Sequence, residues 1–142
     1  MLPKKPILLW VIVLGYAISA LYGLSQVANV LSFEIPTKRY PAFLPNEVAF
    51  ALSMAGFLGG LVASAAVAIT GFLTSRWAPS FDGVALLCTL CSFLASLESA
   101  SLGRALPDAM VWMFFSYWAF AILLGVSVVL YLTRLKRREV LT

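Results

Sequence analysis

The residues able to do chemistry in this chain are few. Its 142 residues include no His, two Cys and six Asp or Glu. Imidazole-based general bases and His-bearing metal sites are therefore excluded from the start. Cys88 and Cys91 form a C-x-x-C, the spacing of a redox pair, yet no His or Lys adjoins them to stabilise a thiolate. They read as small apolar fillers. No catalytic residue, cofactor or metal site is expected, and the chain is read as not being an enzyme.

What remains is a polar cluster. Gly15, Ser19, Tyr22, Gln26 and Asn29 recur at spacings of four, three, four and three, which aligns them on one helical face. Ser19 and Tyr22 are expected to bond to neighbouring helices, while the amides of Gln26 and Asn29 call for polar company. Glu98, the one ionisable side chain inside a predicted span, is expected at the same depth, with Arg104 just beyond it. Gln26, Asn29, Glu98 and Arg104 are therefore the pocket candidates. The segment between the first two apolar runs adds Lys38, Arg39 and Tyr40, held among Pro36, Pro41 and Pro45. It reads either as a stiff interfacial loop or as a docking surface for an anionic group or partner.

Four charge-free runs must position these groups: Pro6 to Phe33, Val48 to Ser75, Gly83 to Leu97 and Ala109 to Thr133. A bilayer core of ~30 Å takes ~20 helical residues, and in lipid only helices or closed barrels satisfy every backbone group. The runs lack the alternation of barrel strands. The expected architecture is an all-α integral membrane protein, an antiparallel bundle of four transmembrane helices. It fills residues 1–142 as a single membrane domain, with helices at about 6–32, 47–75, 82–102 and 108–133 and an outer loop at 33–46. Asn46, Asp82 and Asp108 stand where N-caps belong. The first apolar run is longer than a signal-peptide core, so it reads as a retained signal-anchor helix.

Orientation follows from the cations. Lys4, Lys5, Arg76, Arg134, Lys136, Arg137 and Arg138 fall on one side, against Lys38, Arg39 and Arg104 on the other. Both termini are therefore expected on the cytoplasmic side, N-in and C-in, of a bacterial inner (plasma) membrane. The basic tail from Arg134 to Arg138 reads as an anchor for anionic lipid heads, with no nucleic acid among the partners.

The clearest pattern concerns packing. In the second run Ala51, Ala55, Gly59 and Ala63 make one i, i+4 row, and Gly56, Gly60, Ser64 and Ala68 make the next. Close backbone approach is expected at Ala55, Gly56, Gly59, Gly60, Ala63 and Ser64, either inside the chain or with another subunit. The fourth run is bulky and aromatic from Trp112 to Phe120, a wall for lipid or a partner, and its Gly125 is too isolated to predict a seam. The functional expectation is an accessory or assembly subunit that packs laterally in a larger membrane complex or homo-oligomer, with lipids around it. The alternative is a small transporter, channel, or lipid- or quinone-binding protein with an outer-leaflet pocket around Glu98.

Overall fold

Pro6 leads into the first helix without the loss of any intrahelical bond, because the first-turn amides of a helix have no internal partner. The computed structural model describes residues 6–31, 45–102, 108–138 and 140–141, side chains of 29–31, 46, 98–102 and 108–109 excepted. Its helices are α1 (Ile7–Leu31), α2 (Asn46–Phe72), α3 (Ala78–Leu102) and α4 (Asp108–Arg137). Each contains a stretch long and apolar enough to cross a membrane: Ile7–Ala28, Glu47–Phe72, Ala78–Leu97 and Met110–Arg137.

Two helix starts differ from the expected caps. Pro45, not Asn46, is the N-cap of α2, and its carbonyl accepts from the amides of Val48 and Ala49 at 3.0 Å. More consequentially, α3 starts four residues earlier than Asp82, at Ala78. Pro79 fits in that first turn, where its missing N–H costs nothing. Asp82 is thereby carried into the helix, and the cap reading of this residue is overturned. At the other end of the chain α4 runs past Thr133 to Arg137, which places Arg134, Lys136 and Arg137 in its last turn, opposite the negative end of the helix dipole.

The α2–α3 connection is tight. The Ser75 amide reaches back to the Thr70 carbonyl at 2.7 Å and the Thr74 amide to that of Gly71 at 3.1 Å, the paired bonds of a Schellman stop. Such a stop requires a left-handed residue, and Thr74 supplies it at φ 55°, a conformation for which glycine is better suited.

Packing runs between sequence neighbours: α2 on α3 most extensively, then α1 on α2 and α3 on α4. The small residues decide the first of these. A methyl group placed on Gly56 would lie 2.8 Å from the Ser92 amide nitrogen and would also collide with the Ser92 hydroxyl, and one on Gly59 would lie 2.8 Å from Cys88 Sγ. Ala63 and Ser64 are buried. The small rows of α2 thus serve a contact within the chain, against the equally small Cys88–Ser92 face of α3. Ala55 lies outside that contact and is exposed.

The other seams use single glycines. Gly71 of α2 receives Val13 of α1, with 2.8 Å from Val13 Cγ2 to a methyl built on the glycine, and Gly23 of α1 receives Leu61. Gly125, too isolated in the sequence to predict a seam, lies in the α3–α4 contact under Leu86, at 2.8 Å by the same measure. Phe93 completes it by stacking on Phe114 and meeting Trp118 at a tilt, with ring centroids 6.3 and 5.5 Å away.

The start of α1, the end of α2, the start of α3 and the end of α4 gather at one end of the bundle, here the basal end. Trp10 meets Phe72 edge-on at 5.7 Å. Leu9, Val13, Ala78, Leu132, Leu135 and Leu141 form the buried core cluster there. Leu141 reaches it because the chain turns back after α4, with the Val140 amide bonded to the Leu135 carbonyl at 3.1 Å.

Candidate functional site

A helix projects its long side chains back toward its own N-terminus, so Tyr16 of α1 points toward the basal end, where α3 begins. Tyr16 stands nine positions after Ile7, about 14 Å along α1, and Asp82 four positions after Ala78, about 6 Å along α3. The length of the tyrosine ring spans much of that offset. Its hydroxyl donates to Asp82 Oδ1, which joins the first helix to the third through the bundle interior.

Asp82 is 0% exposed. Its second oxygen, Oδ2, is also buried and has no hydrogen-bond partner among the described residues. A buried polar atom without a partner costs about 1–3 kcal/mol, more when the group is charged, and such atoms mark strain or function often enough to count as sites. The sequence points to Glu98 as the one ionisable side chain within a predicted span and to Asp82 as a helix cap. Two signals pointed here: Pro79 announces a helix start one turn before Asp82, and a tyrosine in the middle of an apolar helix needs a partner for its hydroxyl.

The α1 face behaves otherwise than expected. Ser19 is exposed and Tyr22 is 69% exposed, and neither hydroxyl has a bond to another helix among the described residues. A methyl at Gly15 would meet nothing within 4 Å outside its own helix. Gly15, Ser19 and Tyr22 therefore form a small and polar strip that no described residue covers. Ser25 bonds back to the Tyr22 carbonyl at 2.6 Å, and Gln26 Nε2 lies 3.4 Å from the Ser25 hydroxyl.

Of the other pocket candidates, Asn29 and Glu98 lie in α1 and α3 with side chains outside the described residues, as does Arg104 entirely. Lys38, Arg39 and Tyr40 also fall outside. The described surface does hold a shallow cleft of about 200 Å³ between α2 and α3, lined by Ser53, Ser92, Ala95 and Ser96. It opens above the Gly56–Ser92 contact, two helical positions short of Glu98, and Gln26 is not among its walls.

The aromatic half of α4 divides in two. Phe114 and Trp118 turn inward to Phe93, whereas Trp112 at 74%, Met113 at 72% and Phe120 at 68% stay uncovered. The chain matches no protein-family model, no curated protein and no solved structure.

Proposed function

We propose that the chain is an antiparallel four-helix membrane protein of the bacterial inner membrane, both termini cytoplasmic, that serves as an accessory or assembly subunit through lateral helix packing. The observation that carries this reading is the uncovered strip Gly15, Ser19 and Tyr22 on α1. Hydroxyls on a lipid-facing surface lack water to bond to, so a neighbouring helix offering acceptors is favoured over lipid at that position. The uncovered Trp112, Met113 and Phe120 of α4 give a second, apolar contact surface. The small rows of α2, occupied by α3, are not assigned to the partner.

A photo-activated residue in place of Tyr22 should yield an adduct with a second polypeptide in intact membranes. The same residue at Val62, exposed on the bulky side of α2, should yield lipid adducts alone. Lipid adducts at both positions would sink the reading. For the orientation, cysteines substituted for Thr37 and Thr142 should be labelled from outside intact cells at 37 and not at 142; the reverse would invert the proposed topology.

A second reading, a small carrier, channel, or lipid- or quinone-binding protein, is favoured by the Asp82–Tyr16 pair, since an ionisable group at membrane depth is a functional hypothesis by default. The two readings part at Asp82→Asn. The amide keeps the shape and the bond to Tyr16, so an accessory role predicts normal complex recovery and growth, whereas ion-coupled transport predicts loss of activity.

A further inference from the structure

Beneath the Tyr16–Asp82 pair lies an apolar layer. On α1, Leu9, Val13 and Tyr16 recur at spacings of four and three, and on α3 Ala78 precedes Asp82 by four, so each helix stacks these residues along one face. Both helices begin at the basal end, which puts Val13 and Ala78 about one turn nearer to that end than the pair. With Leu9, Leu132, Leu135 and Leu141 they form the buried cluster, so the cluster stands between Asp82 and the basal surface. Leu141 differs from the rest in standing beyond the helices. It is 4% exposed, and the described backbone bond that brings it back is that of the Val140 amide to the Leu135 carbonyl at 3.1 Å. Segments past a helix end open at lower cost than the helices they cover.

We propose that Leu141 is a stopper: seated, it closes the basal end over the Tyr16–Asp82 pair, and lifted out with the turn after α4 it admits water to Asp82 Oδ2. Two opposed terms act on it. Seating buries the leucine side chain but holds Oδ2 in a dry site with no donor among the described residues. Lifting exposes that apolar surface and gives the oxygen a hydrogen-bond donor. Burial of one leucine and satisfaction of one buried polar atom are of similar size, so the closed and open arrangements lie close enough in free energy for the open one to be visited. The other members of the layer are each held by the backbone bonds of a helix and stay in place. The stopper governs access to Asp82 under either functional reading above.

Access to a carboxyl group is measured by its reaction with a water-soluble carbodiimide. The reagent adds across the O–H of the acid to give an O-acylisourea, which an added amine, glycine methyl ester, converts to the amide with release of the urea. Purified full-length protein in a mild detergent is treated in this way, and modification of Asp82 is read by peptide mass spectrometry against that of Glu47, exposed on α2. In wild type Asp82 should react far more slowly than Glu47. Leu141→Ala should speed the reaction at Asp82 by about tenfold, since the truncation removes most of what seats the stopper. Leu141→Met, of similar volume, should stay within about twofold of wild type. Leu130→Ala, exposed on α4, and Gly56→Ala, which loosens the α2–α3 contact away from the basal end, should leave the ratio unchanged. If Leu141→Ala does not fold, Leu141→Val takes its place with a smaller rise expected. Asp82 reacting as fast as Glu47 in wild type, no rise in a folded Leu141 truncation, or an equal rise in Gly56→Ala would overturn the stopper.

Discussion

Removing the Tyr16 hydroxyl takes from Asp82 its one described donor and leaves a buried carboxyl with neither oxygen satisfied. Tyr16→Phe should therefore lower stability by about 1–3 kcal/mol. Asp82→Leu should cost less than that sum suggests once combined with it, because an apolar pair leaves no orphan; thermal unfolding of the two single variants and the double variant in detergent gives the coupling. A double variant as unstable as the two losses added together would show that the pair contributes nothing as a pair. This site was only partly legible beforehand. Asp82 precedes an apolar run, as a cap does, and the choice between cap and interior rests on one helical turn set by Pro79. Tyr16 sits beside Gly15 in sequence but about 100° around the helix, off the polar strip that drew attention to that segment. Glu98, more conspicuous because it follows Leu97 at the end of an apolar run, has a side chain outside the described residues.

At the scale of the helix pairs, glycines distribute the work unequally although they look alike in the sequence. Gly56→Ala should be markedly destabilising, since its methyl collides with Ser92, and overpacking of this kind costs about 1–3 kcal/mol. Gly60→Ala should be close to neutral, because the nearest atom to its methyl is Cys88 Cβ at 3.7 Å. Comparing the thermal midpoints of the two variants checks this, and equal losses would show that α2 and α3 approach each other differently. The four helices and the two small rows of α2 could be read directly from apolar length and i, i+4 spacing. That both rows meet α3 could not, because small residues do not by themselves say whether their partner lies within the chain; Gly56 of one row and Gly59 of the other both face the Cys88–Ser92 surface. Gly125 was illegible for the converse reason: one glycine among bulky neighbours gives no period, and only Leu86 reveals it as a seam.

Across the whole molecule, helices join helices in chain order, and the buried core cluster gathers at the basal end. Farther along, the strip on α1 and the ring surface on α4 remain open, so the bundle offers lateral faces in addition to its ends. The sequence offers two lateral surfaces, the small rows of α2 and the aromatic wall of α4; folding uses the first internally against α3, while part of the second and the strip on α1 stay exposed. Membrane proteins extracted directly into native nanodiscs keep their neighbours and their lipids, and mass measurement of the particle tests this account most directly. The account predicts a protein mass well above the 15.4 kDa of one chain, falling to that of one chain when Gly15 and Ser19 are both replaced by Leu while Val62→Phe leaves it unchanged. A wild-type particle holding a single chain and lipid alone would contradict it.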